Sequence, residues 1–234
     1  VTGGYTAQIT PLSTCQALTL RSVLFKGCSS TKIGGSVYIK KSIPFYANDV
    51  NIIDSHTTKS CGGILCISSL VDLKYMCFCR CSCNSPYSTD GSNNYFFAAR
   101  LGTQSKTQSV NVKESTVYFC PGAYSSGENT MTMNIGLITT NFLNFTNNQP
   151  KIEVLGFNGP VGSTGPRYLT ITENNPGELI DSFLSGSPVF EYCNLVNNNK
   201  RSSTSALVNG QETMTLQHGV IAGNTVTKLS TKKV

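Results

Sequence analysis

Charge is scarce in this chain: Asp, Glu, Lys and Arg make up 13% of 234 residues, against about 25% in an ordinary soluble domain. Helical patterning is missing as well, since no stretch sustains an apolar residue every three to four positions. The five aspartates, Asp49, Asp54, Asp72, Asp90 and Asp181, are dispersed with no two adjacent. Cleavage of a glycosidic bond needs two facing carboxylates, and a calcium-assisted lyase needs several around its ion. No G-x-S-x-G elbow is present and no Cys-x-x-Cys pair. No apolar run approaches the ~20 residues that cross a bilayer. The chain opens at Val1 in VTGGYTAQ, with neither a charged n-region nor an apolar h-region. It therefore reads as a processed mature chain or as a piece of a longer one.

What is present is a repeat. An apolar residue followed three positions later by Cys, His or Asn recurs at Phe25–Cys28, Ile53–His56, Phe78–Cys81, Val117–Cys120, Phe145–Asn148, Ile171–Asn174, Leu195–Asn198 and Ile221–Asn224. Successive anchors are 28, 25, 39, 28, 26, 24 and 26 residues apart. The long interval contains the polar segment NSPYSTDGSNN, Asn84 to Asn94, which reads as a loop inserted into one repeat. A period of this length implies a solenoid, in which no coil buries its apolar face alone.

Side-chain parity makes the repeats strands. The residues three before each anchor are all apolar, and those five before (Val23, Asn51, Met76, Ser115, Leu143, Leu169, Cys193, Gly219) are apolar in about half the repeats. The residues two before, among them Lys26, Asp54, Thr146 and Thr172, tolerate solvent. Period-two alternation places the first two columns inside and the third outside, with equivalent residues stacked about 4.8 Å apart. The expected fold is all-β: a right-handed parallel β-helix of about eight coils, residues 1–234 forming one domain. A leucine-rich-repeat-like solenoid is the alternative, because Leu169-Thr-Ile171-Thr-Glu-Asn174 fits L-x-L-x-x-N, although leucine is sparse elsewhere. Asn148, Asn174, Asn198 and Asn224 then form an internal hydrogen-bonded ladder.

In the first two repeats the agreement extends further, with Gly34-Gly35-Ser-Val37 six residues after Cys28 and Gly62-Gly63-Ile-Leu65 six after His56. A glycine pair before a β-rich run suits a tight corner that no Cβ fits. FKGCSSTKIGGSVYI (Phe25 to Ile39) and IDSHTTKSCGGILCI (Ile53 to Ile67) resemble the FxxN plus GGAI repeat of polymorphic-membrane-protein-type β-helices, found in bacterial autotransporter adhesins and in surface proteins of some parasitic protists. Cys28 and His56 stand where that motif has Asn, and no double glycine follows the later anchors. The resemblance implies surface display and adhesion rather than chemistry.

Ten cysteines are the second strong feature: Cys15, Cys28, Cys61, Cys66, Cys77, Cys79, Cys81, Cys83, Cys120 and Cys193. Their even number favours disulfides and an oxidising compartment. Cys77, Cys79, Cys81 and Cys83 alternate, which places all four on one face of a strand with neighbours about 6.6 Å apart, poor spacing for direct bonding. Bonds between coils fit better, and Cys81 with Cys120 is the expected pair. Cys28, His56 and Cys81 share a column, but a stack spread over nearly 10 Å is no tetrahedral zinc cage, so neither metal nor cofactor is expected. Asn144-Phe-Thr146 is one glycosylation acceptor, with Asn144 turned outward.

The formal charge is +6, with Lys and Arg scattered apart from Lys40-Lys41 and the group Lys228, Lys232 and Lys233. This reads as a solvated surface, not a nucleic-acid footprint or membrane contact. The expected function is an extracellular or cell-surface structural and adhesive β-solenoid, part of a filament or stalk, whose partners are host or matrix glycans and another chain or copy at the coil ends. A polysaccharide lyase or glycoside hydrolase of the pectate-lyase-like β-helix type is the alternative. Asp54-Ser-His56 and His218-Gly219 are similar to polygalacturonase-like fragments but lie about six coils apart. His56 reads as a corner residue and His218 as a solvated strand residue.

Overall fold

Alternating runs such as LTLRSVLFK and LITTNFLNFT, rich in β-branched and aromatic residues, form strands in a computed structural model that describes residues 3–83, 96–120, 129–150, 152–160, 162–176, 178–199, 206–210 and 213–225. The expected loop at 84–94 lies outside the described residues. Every strand pairing among the described residues is parallel.

The strands fall into three sheets. The long sheet runs in the order β1 (Gly3–Tyr5), β2 (Leu18–Lys26), β5 (Pro44–Ile53), β8 (Leu70–Cys79), β11 (Ser109–Tyr118), β13 (Leu137–Thr146), β15 (Arg167–Thr172), β17 (Val189–Glu191) and β20 (Thr215–Gln217). From β15 a side branch continues through β18 (Asn194–Val196) to β21 (Val220–Ala222). A second sheet contains β4 (Val37–Lys40), β7 (Ile64–Ser68), β10 (Phe96–Thr103), β12 (Asn129–Asn134), β14 (Glu153–Gly159), β16 (Glu178–Leu184) and β19 (Val208–Gly210). A third, short sheet joins β3 (Ser29–Ser30), β6 (His56–Thr57) and β9 (Ser82–Cys83).

This is a parallel β-solenoid. Six turns of chain separate the seven strands of the second sheet among the described residues, fewer than the eight coils the anchors suggest. No helix occurs among the described residues. Each coil adds two or three strands, so the single-strand repeat of a leucine-rich-repeat solenoid does not fit.

The core is a set of stacked columns. Phe25, Ile52, Phe78, Val117, Phe145, Ile171 and Leu195 are in register and fully buried, each removing on the order of 2 kcal/mol of apolar surface from water. The structure corrects the second repeat by one residue. Ile52, not Ile53, aligns with Phe25 and Phe78, and Ser55, not His56, is the anchor, because His56 pairs with Ser29 and Ser82. Ser55 is fixed inside by a 2.7 Å hydrogen bond between its hydroxyl and that of Ser36. The glycine pairs shift with it: Gly35 meets Gly62, and a Cβ on Gly35 would collide with the Gly62 carbonyl.

Two columns of left-handed residues shape each coil. One precedes the anchors at Gly27, Asp54, Arg80, Phe119, Asn147, Glu173, Asn197 and Gly223, and turns the chain out of the long sheet. The other lies inside the long sheet, at Ser22, Asp49, Tyr75, Glu114, Phe142, Tyr168, Tyr192 and His218. A left-handed residue interrupts alternation, so Arg21 and Ser22 both face solvent between buried Leu20 and Val23. The same double-outward step recurs at Lys113 and Glu114 in β11.

Candidate functional site

The anchor column is a continuous hydrogen-bond ladder in its second half. Asn148 donates its side-chain amide to the Val117 carbonyl at 3.0 Å, Asn174 to Phe145 at 2.9 Å and Asn198 to Ile171 at 2.8 Å, each one coil back. The Asn224 amide donates to Leu195 in the same way. The Oδ1 atoms of Asn148, Asn174, Asn198 and Asn224 accept backbone N–H bonds from Cys120, Asn148, Asn174 and Asn198 at 2.8–3.0 Å. Both ends of each amide are thereby used, which lets the polar group sit in the core at little cost. In the first half cysteine takes the same place: the Cys28 thiol points to the Tyr5 carbonyl and the Cys81 thiol to that of Ile52. These columns hold shape and offer no reactive constellation.

All ten cysteines are free thiols in the structure. The expectation that Cys77, Cys79, Cys81 and Cys83 share one face is corrected. Cys77 and Cys79 point outward and are half-buried, while Cys81 and Cys83 are fully buried. The reason is Arg80, whose left-handed backbone (φ 51°) ends β8 and resets the parity. Cys81 and Cys120 are column neighbours whose thiols hydrogen-bond, and burial holds Cys81 well above the ordinary thiol range. Burial likewise pushes Cys66 and Cys193 up to about 12. Cys28 and Cys61 are also buried, and Cys15 is partly exposed. His56 is half-buried, its Nδ1 3.0 Å from the Ser82 hydroxyl. It stands outside the Cys28–Cys81 column, and among the described residues no three His, Cys, Asp or Glu side chains converge on one point.

The outer face of the long sheet carries a trough of about 480 Å³ beside the left-handed column. Register lines it with two outward rows, Thr19, Tyr46 and Asp72 in one, and Arg21, Asn48, Lys74 and Lys113 in the other. Lys74 is 3.2 Å from Glu114, and its ammonium lies 4.3 Å from the Tyr75 ring centre. Arg21 and Lys113 are exposed and have no ion-pair partner among the described residues. Three cations against Asp72, with the exposed ring of Tyr46 in the wall, make a surface suited to an extended anionic ligand.

Farther along the same face the left-handed column becomes aromatic. Phe142, Tyr168, Tyr192 and His218 stack with ring centres 4.5, 4.8 and 5.0 Å apart. Each of these bulky residues has positive φ, a strain of about 1–2 kcal/mol that stacking of about 0.5–1.5 kcal/mol per pair offsets. His218, exposed just past the end of β20, is thus the last rung of this stack. Asn144 lies two residues beyond Phe142, outward and half-buried, with the Thr146 hydroxyl donating to its Oδ1 at 3.0 Å.

Sequence reasoning missed one acidic cluster, on the second sheet. Glu153 and Asp181 hydrogen-bond to each other. Burial, then the charge of Asp181, drives Glu153 well up, and burial raises Asp181 to about 6. Spacing gives no signal for it, because one coil on from Glu153 is Glu178, and Asp181 lies three residues farther, opposite Gly156. Comparison with family models, with curated proteins and with solved structures finds no match for this chain.

Proposed function

We propose that the chain is an extracellular or cell-surface structural and adhesive β-solenoid that engages anionic glycans along the outer trough of its long sheet. The observation that carries this reading is the row Arg21, Asn48, Lys74 and Lys113 beside Tyr46, with Lys74 and Lys113 on adjacent coils and Arg21 two coils before Lys74. Cations along one row at intervals of one and two strand spacings, about 5 and 10 Å, suit a polymer with repeated carboxylates or sulfates. The resemblance of the Phe25–Ile39 segment to surface-displayed β-helices points the same way.

Three features belong to the proposal. A glycan on Asn144 would project from the same face, a Cys81–Cys120 disulfide would close between adjacent coils in an oxidising compartment, and the coil ends would pair with adjoining polypeptide or another copy. In support of the last, Ile221 is 38% exposed although its column mates are buried.

The rival carbohydrate-cleaving reading draws no support from Glu153 and Asp181. Their carboxyls are in hydrogen-bonding contact and Glu153 is 4% exposed, whereas a glycosidase needs its pair about 5 Å or more apart around the sugar. The test is retention on immobilised sulfated or uronate polysaccharide and on neutral dextran. Retention on the anionic supports alone, lost as salt is raised, supports the reading. Equal behaviour on all supports contradicts it.

A further inference from the structure

Glu153 is a buried acid, and among the described residues the groups that shift its carboxyl include no cation. Its register partners are Asn129 in β12 and Glu178 in β16. Three residues on, Gly156 stands between Thr132 and Asp181. Any side chain at Gly156 would run into the Glu153 carboxylate and come within 2.9 Å of the Thr132 hydroxyl. The missing Cβ is the notch in which the carboxylate lies.

A chain of polar contacts runs around that notch. The Thr132 hydroxyl donates to Glu153 Oε1 at 3.2 Å, and the Asn129 amide nitrogen donates to Thr132 Oγ1 at 3.3 Å. Asn209 donates to Asp181 Oδ1 at 3.1 Å. Asn129 is 7% exposed, and among the described residues its buried Oδ1 has no hydrogen-bond donor. A buried amide oxygen without a donor needs an explanation. The groups acting on the two carboxyls are Thr132, Glu178, Asn209 and each other, none of them cationic. Arg100, the register partner of Thr132, is not among them.

We propose that Glu153, Asp181, the Asn129 amide oxygen and the Thr132 hydroxyl form a binding site for a hard divalent cation of the calcium class. The donors are all oxygen, which selects against zinc and copper. They come from three adjacent strands and mix carboxylate, amide and hydroxyl oxygens, a set that calcium accepts more readily than magnesium with its strict octahedron. The ion satisfies the orphaned oxygen of Asn129 and supplies the positive charge that the carboxyl pair lacks. It also ties β12, β14 and β16 together across successive coils. This site lies on the second sheet and does not depend on the glycan reading.

The test uses the full chain, stripped with chelator and then titrated with calcium chloride or magnesium chloride in the calorimeter and in thermal melts. The expected result is one calcium per chain at submillimolar to millimolar affinity, a higher melting temperature in calcium than in chelator, and a smaller response to magnesium. Asp181→Asn, at a half-exposed position that tolerates the change, should bind calcium at least tenfold more weakly, and Glu153→Gln should behave likewise if it folds. Gly156→Ala, which fills the notch, should do the same. A parent that gives no heat and the same melting temperature in calcium and chelator would overturn the proposal, leaving a proton-sharing pair. Undiminished calcium binding by Asp181→Asn would overturn it equally.

Discussion

Asn174 Oδ1 lies 2.8 Å from the backbone nitrogen of Asn148, its equivalent one coil earlier. The amide of Asn174 donates to Phe145 and Thr172 carbonyls, so one side chain satisfies backbone groups on two coils. Replacing Asn174 with Ala strands the Asn148 N–H and the Phe145 carbonyl in the core, at about 1–3 kcal/mol for each group. The expected loss is about 3 kcal/mol in urea denaturation. Asn174→Cys should be milder, since Cys81 occupies the same column and reaches the Ile52 carbonyl. Equal stability of Asn174→Ala and the parent would mean that the ladder contributes nothing.

The one-residue register correction has its own test. Ile52 is fully buried while Ile53 is half-buried on the outer face. Ile52→Asp should lose more than about 4 kcal/mol, as expected for an unpaired carboxylate in the core, and Ile53→Asp about 1 kcal/mol. The reverse order in thermal melts would restore His56 as the anchor. Ile171→Asp should resemble Ile52→Asp, because Ile171 shares the buried column.

Much of this fold is legible in the sequence, because coil spacing and the apolar column are both local patterns. The second repeat is ambiguous for a simple reason: with Ile at both 52 and 53, and polar residues at both 55 and 56, either frame satisfies the motif. Pairing across the coils decides it, with Ile52 opposite Phe25 and His56 opposite Ser29 and Ser82. The left-handed residues Phe142, Tyr168 and Tyr192 were not legible, since bulky residues rarely adopt positive φ alone and do so here because each ring has a partner one coil away. Glu153, Asn129 and Asp181 are brought together by register and by the notch at Gly156, neither of which a scan for adjacent acids can see.

The aromatic column separates strain from stacking. Tyr168→Ala loses contacts to Phe142 and Tyr192 and keeps the left-handed backbone, so it should cost about 2 kcal/mol. Tyr168→Gly loses the same contacts but relieves the strain. Glycine should therefore be at least as stable as alanine here, contrary to the usual order inside a strand. Alanine clearly above glycine in chemical denaturation would show that the left-handed conformation is not held in solution.

Thiol accessibility follows from the parity reset at Arg80. In the reduced, folded protein at pH 8, a maleimide should label Cys15, Cys77 and Cys79, which are partly exposed, and spare the buried seven. Cys66 and Cys193, pushed up to about 12 by burial, should be among the slowest. Peptide mapping after a short pulse reads this directly. Labelling of Cys81 as fast as Cys79 would mean that both face the same side.

Adhesion through the trough is tested most directly by reversing the two cations that have no ion-pair partner there among the described residues, Arg21 and Lys113. Both are exposed, so Arg21→Glu/Lys113→Glu should melt within a few degrees of the parent. Binding to immobilised sulfated polysaccharide at low salt should fall by at least tenfold, with a shallower dependence on salt concentration. A folded double variant that binds as tightly as the parent, with the same salt dependence, would contradict the account.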